Sequence, residues 1–296
     1  MTGGGTMRLG AVVLTMGNRP EELRALLDSV AKQEGDPVPV VVVGNGAPLP
    51  ELPEGVRTVE LPENLGIPGG RNVGIEAFGP SGSEVDALLF LDDDGLLPNT
   101  DTAELVRKAF EADEKLGIIS FRIADPDTGE TQRRHVPRLR ASDPMRSSRV
   151  TTFLGGANAV RSQVIAEVGG LPDEFFYAHE ETDLAWRALD AGWMIDYRAD
   201  MVLNHPTHPP SRHAVYHRMV ARNRVWLARR NLPLPLIPVY LGVWLLLTLA
   251  RRPSLPALRA WLGGFKEGWT TPAGPRRPMR WRTVWRLTRL GRPPVI

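Results

Sequence analysis

Three adjacent carboxylates, Asp92, Asp93 and Asp94, follow the apolar run Leu88-Leu89-Phe90-Leu91 and are closed by Gly95. Side by side they repel one another unless solvent or a cation intervenes. Hard divalent ions such as Mg²⁺ or Mn²⁺ take carboxylate oxygen and bridge to substrate phosphates. On an extended segment Asp92 and Asp94 point one way and Asp93 the other. A metal with a phosphorylated substrate is one reading of this string. A solvated acidic turn is the other, and the string alone does not decide between them.

Three further groups bear on the choice. Residues 64–74 (NLGIPGGRNVG) read as a loop in which glycines let the backbone approach a ligand and Arg71 can pair with a diphosphate. Residues 175–187 (FFYAHEETDLAWR) gather Glu180, Glu181 and Asp183 at the start of a predicted helix. There they either complement the helix dipole or place a general base at a cleft, partly desolvated by Phe175, Phe176, Tyr177 and Trp186. His205, after residues 201–204, and His208 are of a metal-ligating type, although a lone histidine is more often an ordinary surface or core residue.

The elements that must position these groups alternate. Residues 9–15 are a buried strand by length and β-branched content, and residues 19–32 carry Leu23, Leu26, Leu27 and Val30 at helical spacing. Strands follow at 38–43, 57–61 and 87–91, then a helix at 102–116 and a strand at 118–123. Residues 125–149 are polar, Arg-rich and broken by Pro, a mobile surface loop or a lid. A short helix at 160–167, a longer one at 181–191 stopped by Gly192, and a strand at 193–197 complete the pattern. Alternation of this kind predicts an α/β domain with a mainly parallel sheet, in which ligands bind at the carboxyl ends of strands; Asp92 to Asp94 stand at such an end.

The 296 residues are enough for one large α/β domain with an appendage, and the absence of cysteine excludes disulfides and thiolate metal sites. The first ten residues lack the apolar stretch of a secretory signal, so the expected location is the cytoplasm. Eleven of the 36 Lys and Arg but only one of the 34 Asp and Glu lie from Arg251 onward, so the net charge of +2 hides a tail of +10 and a body of −8.

In order and spacing, the blocks VVLTMGNRPEELRALLDSVAKQ, ENLGIPGGRNVGI, LLFLDDDG and FLGGANAVRSQVIAEVGGLPDEFFYAHEETDLAWRALDAGW, with His205 downstream, resemble glycosyltransferase family 2 over about two-thirds of the chain. The resemblance implies the GT-A nucleotide-sugar-binding fold and an inverting transfer from a nucleotide-diphosphate-sugar. It sets Thr15, Asn18, Arg19, Asn45, Asn64, Gly66, Arg71, Asp92 and Asp93 around the donor. Asp94, His205 and Asp92 would face a divalent metal (Mn²⁺ or Mg²⁺), and Gly155, Gly156, Glu180 and Asp183 the sugar and acceptor pocket. Glu181 falls where the family usually has its catalytic Asp. A second departure is Gly44-Asn45, where the family's second strand usually ends in an Asp that contacts the base.

The division expected is a flexible N-terminus (1–8), a catalytic domain (9–230) and a helical, basic, Trp-rich appendage (231–296). Residues 232–250 are apolar and uncharged but carry three prolines in their first half, so a straight membrane span is doubtful. Beyond them Trp261, Trp269, Trp281 and Trp285 are interleaved with arginines, the composition of an interfacial helix on anionic lipid. Packing back on the catalytic domain would use the same tryptophans, and nucleic-acid binding is the least favoured use. The expected partners are therefore a nucleotide-sugar, a glycan or lipid-linked acceptor and the inner face of a membrane. Two rivals remain at this point: a phosphohydrolase using Asp92-Asp93-Asp94-Gly95 as a nucleophile loop, and a non-catalytic nucleotide-sugar-binding scaffold.

Overall fold

The computed structural model describes residues 6–139, 143–206 and 214–296. Residues 1–5 of the expected flexible N-terminus, 140–142 of the polar loop, and His208 lie outside these.

Eight strands form one sheet in the order β3-β2-β1-β4-β7-β5-β8-β6. They are β1 (Leu9–Thr15), β2 (Val40–Asn45), β3 (Arg57–Leu61), β4 (Ala87–Asp92), β5 (Leu116–Ala124), β6 (Ser148–Arg149), β7 (Ala157–Arg161) and β8 (Met194–Asn204). β1, β2 and β4 are buried at almost every position, as strands covered on both faces must be. Side-chain alternation divides β1 between two cores, Val12 facing one and Ala11 with Val13 the other. Under Ala11 and Val13 lie α1 (Pro20–Ala31) and α3 (Thr102–Ala112); on the Val12 side lie α2 (Gly66–Glu76), α4 (Ser162–Val168) and α5 (Glu180–Ala191). β1 pairs in parallel with β2 on one side and β4 on the other, so the connections diverge there and leave a crevice at the strands' carboxyl ends.

The sheet is mixed rather than uniformly parallel: β7 runs antiparallel to both β4 and β5, and β6 antiparallel to β8. β7 occupies part of the segment expected to be helical at 160–167. Helix α4 starts at Ser162, because Ala157–Arg161 is drawn out by pairing on both edges. The helix expected at 102–116 stops at Ala112, and Leu116 already belongs to β5. The larger correction concerns residues 64–74, expected as a loop, of which all from Gly66 onward belong to the helix α2. Its glycines serve close packing: a Cβ on Gly70 would collide with Leu14, and one on Gly74 with Val12. Helix and strand backbones therefore approach more closely than any side chain would allow. Within residues 125–149 the chain makes a turn closed by Asp125 N–H donating to the Glu130 carbonyl at 2.8 Å, a 3-10 turn at Arg133–His135, and β6.

Four helices follow: α6 (Ala214–Asn231), α7 (Leu236–Ala250), α8 (Leu255–Thr270) and α9 (Trp281–Arg289). α8 lies against α6 at Gly264 and Gly268, where a Cβ would meet the Arg218 and Arg222 carbonyls. α9 is tied to the α/β body through Thr283 Oγ1 to Asp190 (2.5 Å) and Arg286 to the Trp193 carbonyl (2.8 Å). This packing buries Trp261 but leaves Trp269, Trp281 and Trp285 exposed. Among the described residues no helix is long and apolar enough to cross a membrane.

Candidate active site

The crevice at β1 and β4 opens into a cleft of about 410 Å³. Thr15, Asn18, Arg19, Asn45, Asn64, Gly66, Arg71, Asp92, Asp93, Asp94 and His205 all line it, with Phe176 and Tyr177 on its rim. The three aspartates diverge at the strand end and share their partners, Arg19 serving Asp93 and Asp94, and His205 standing near Asp94 and Asp92.

Asp93 turns back into the fold, where Thr15 Oγ1 donates to it at 2.6 Å and Arg19 Nη1 lies at 3.3 Å. Burial raises its pKa, and the Thr15 hydrogen bond and Arg19 only partly offset this. Asp94 meets Arg19 at 2.5 Å and His205 Nε2 at 3.0 Å. Burial alone would raise its carboxyl, but the His205 hydrogen bond and charge, with Arg19, outweigh burial and hold it below the usual carboxylate value. Asp92 is paired with Arg71 at 3.1 Å and stands 3.9 Å from His205 Nε2. The end of β4 thus presents Asp92 to Arg71, and the turn after it presents Asp94 to His205, which follows the end of β8.

The donor set fits a hard divalent ion. His205 Nδ1 donates to the Pro206 carbonyl at 2.8 Å, so Nε2 is the nitrogen turned towards Asp94 and Asp92. Among the described residues no group of three or more His, Asp or Glu side chains is arranged so as to hold a metal ion. That is consistent with Mg²⁺ or Mn²⁺, which take one or two carboxylates and fill their remaining positions with water and substrate phosphate.

Asn45 is in the cleft wall, but its amide is committed. It donates to Asn64 Oδ1 (2.9 Å) and the Gly66 carbonyl (3.1 Å), and accepts from Leu65 N–H (2.9 Å). In this structure it braces the entry to α2 and so positions Arg71.

The remaining site residues lie outside the cleft lining. Gly155 and Gly156 form a floor beneath the carboxylates: a Cβ on Gly156 would collide with Asp92, and one on Gly155 with Glu181, with Arg71 Nη1 at 2.9 Å. Glu181 therefore stands directly behind Arg71. Glu180 is buried and pushed up to about 8 by burial and by Glu181 beside it. It keeps its proton at neutral pH, and burial raises the pKa of Glu181 as well, against the pull of Arg71. Asp183 is elsewhere. It is fully buried between Arg187 (2.8 Å), Arg230 (3.0 Å) and Asn231 (2.6 Å), a strut joining α5 to α6 and not a pocket residue.

Two features have no signature in the sequence. Phe176, Ala178 and His179 take left-handed backbone (φ 61°, 71° and 73°) in the loop leading to Glu180. Strain of this kind persists only where surroundings impose it. Asn223 of α6 imposes it here, its Nδ2 donating to the carbonyls of Phe175 (2.8 Å), Tyr177 (2.7 Å) and Ala178 (2.9 Å). No local pattern at position 223 points to a loop more than forty residues away.

Comparison with known proteins agrees with this architecture. A curated relative, the pre-mycofactocin glycosyltransferase of Mycobacterium tuberculosis, is 25% identical over 234 residues, covering 74% of this chain and 44% of the relative. The chain thus spans less than half the length of the curated relatives it matches. Residues 1–349 of S. aureus TarS, solved with UDP-GlcNAc, superpose with a TM-score of 0.62 at 16% identity, covering 88% of this chain and 80% of that one. The mannosyltransferase PcManGT from Pyrobaculum calidifontis, solved with GDP-Man and Mn²⁺, gives 0.55 at 18% identity over 97% and 85% of the two chains. At such identities these likenesses show the fold, which is GT-A. The description "Glycosyl transferase family 2" matches residues 11–169, more than half of the chain, and it is to this family that the chain belongs.

Proposed function

We propose that this chain transfers a sugar from a nucleotide-diphosphate-sugar to a hydroxyl of a lipid-linked or cell-envelope glycan, with inversion at the anomeric carbon. The observation that carries the reading is the convergence of Asp92, Asp94 and His205 on one end of the cleft, with Glu181 behind Arg71, just outside the lining. Family membership leaves the phosphohydrolase alternative without support.

The roles follow from position and charge. Thr15, Asn18, Arg19 and Asn64 line the part of the cleft where the nucleoside would lie, and Arg71 supplies a cation for the diphosphate. Asp94 and His205, with Asp92, would hold Mn²⁺ or Mg²⁺, which when bound offsets the charge of the departing diphosphate. Glu181, in its deprotonated form, takes the proton of the acceptor hydroxyl. The acceptor oxygen then bonds the anomeric carbon on the face opposite the departing diphosphate, and the nucleoside diphosphate leaves with the electron pair of the broken bond. The exposed Trp269, Trp281 and Trp285 support a peripheral attachment to the inner face of a membrane.

The test is nucleoside-diphosphate release from a panel of nucleotide-sugars with Mn²⁺ or Mg²⁺, with and without EDTA. Release from one donor, abolished by EDTA and by Asp94→Ala and lowered at least about a hundredfold by Glu181→Gln, is expected. A protein that neither releases nor binds any donor with metal present would instead be a scaffold with a degenerate site.

A further inference from the structure

A second cavity, about 500 Å³ and larger than the donor cleft, lies between α6, α7 and α8. Tyr216, His217 and Arg224 of α6, Arg251 and Arg252 at the end of α7, and Ser254 at the start of α8 form much of its wall. Among the described residues none that lines it is acidic. Three arginines, Arg224, Arg251 and Arg252, thus face one concave surface.

Arg224 makes the cavity more than a basic patch. It is only 7% exposed, and its guanidinium lies 3.5 Å over the Trp244 ring. Its one described hydrogen bond runs from Nη2 to His179 Nε2 at 3.2 Å, a ring that burial and the neighbouring arginines keep neutral. Its Nε–H has no partner, and among the described residues no carboxylate is within ion-pair distance of it. A buried guanidinium without an anion is costly, and that cost is relieved by an oxyanion at the cavity. Arg251 and Arg252 add two solvent-facing cations with no ion pair among the described residues, and the first turn of α8 adds the positive end of a helix dipole.

We propose that this cavity binds the phosphate or diphosphate headgroup of a lipid-borne ligand. Two observations favour a lipid over a free phosphate. The helices that frame the cavity expose Leu246, Leu249, Leu255 and Leu262 to solvent, so charge and apolar surface adjoin as they do in an amphiphile. The cavity also borders the reaction centre: Tyr216 of its wall packs edge-to-face on Tyr177 of the donor cleft at 6.1 Å, and Arg224 holds His179, which precedes Glu180. The identification of this lipid as the sugar acceptor rests on the transferase reading above; the binding of the headgroup does not.

The test uses the full chain and phosphatidylcholine vesicles with and without phosphatidic acid, inorganic pyrophosphate as the soluble arm, and melting curves to confirm folding. Arg251→Ala/Arg252→Ala removes two exposed cations of the cavity and leaves the buried Arg224 in place. Arg24→Ala/Lys32→Ala removes two exposed cations at α1, on the opposite face of the sheet. The wild type should partition onto the phosphatidic-acid vesicles, the cavity pair should lose roughly thirtyfold, and the α1 pair should retain most of its binding. Equal losses from both pairs would overturn the proposal in favour of diffuse charge. So would a wild type that ignores the vesicles, and pyrophosphate binding without vesicle binding would overturn the lipid as occupant. Because the readout is partition and not turnover, its failure leaves the donor-site reading standing, and failure of that reading leaves this one standing.

Discussion

Asn223 gives the sharpest test of how the site is held. It is fully buried, and its single amide nitrogen serves three carbonyls of the strained loop before Glu180. Removing it does not strand all three. Arg222 Nη2 also donates to the Phe175 carbonyl at 3.0 Å, so the oxygens of Tyr177 and Ala178 are the ones left without a side-chain donor. At about 1 kcal/mol per bond, Asn223→Ala costs about 2 kcal/mol. That is about thirtyfold in the population of the held loop. The left-handed residues store about 1–3 kcal/mol each, which drives the released loop away from its native path. Asn223→Asp separates hydrogen bonding from volume: it keeps the size of the side chain but turns oxygen towards carbonyl oxygens. It should therefore be worse than alanine, both in urea midpoint and in nucleoside-diphosphate release. Donor binding loses only what Phe176 and Tyr177 on the cleft rim contribute, so it should fall less than turnover in either variant. An Asn223→Asp protein that melts and turns over like wild type would refute the argument, as would loss of donor binding in step with loss of turnover.

Three other outcomes are expected. Asp183→Asn should destabilise by about 3–5 kcal/mol, because it leaves Arg187 and Arg230 facing each other across a buried site without their shared anion; a stable but inactive Asp183→Asn would return this residue to the chemistry. Glu180 has a folded pKa of about 8 against an ordinary 4.5, so the folded state holds its proton longer than the unfolded chain does. Its stabilising effect is complete below about pH 4.5 and is lost as pH rises towards about 8. Chemical denaturation should thus show Glu180→Gln gaining on wild type between about pH 5 and about pH 8, and a constant difference would contradict the burial argument. Gly156→Ala should reduce donor turnover with little change in melting temperature, since its new methyl meets the Asp92 carboxylate and not the core; undiminished turnover would mean that the Asp92 position is not critical.

Much of the fold was legible in the chain. β1 and β3 begin and end where the residue pattern predicts, because an apolar, β-branched run or a bounded short strand needs only local information. Gly192 ends α5 with φ 113°, as a glycine in that place predicts. The same logic misread residues 64–74. Glycine-rich sequence signals backbone freedom, but here the missing side chains accommodate Val12 and Leu14, which come from a strand fifty or more residues earlier. β7 was hidden for a related reason, since Ala157 to Val160 carries no alternation and becomes a strand only between β4 and β5.

For the candidate site, residue type and order determined the list of chemical groups: three aspartates after a buried strand, an arginine, an acidic pair and a histidine. Those are properties of side chains and their spacing, which a sequence carries in full. Which of them share a cleft was decided by the tertiary structure. It assigned Asp93 to Thr15 and Arg19, Asp94 to His205, and Asp183 to a buried strut. It also recruited Asn223 and Arg224, which belong to a helix beyond the region that carries the family pattern. The division has one physical origin. A carboxylate's chemistry is intrinsic, but its pKa, its partner and its access to solvent depend on what the rest of the chain brings within a few ångströms of it.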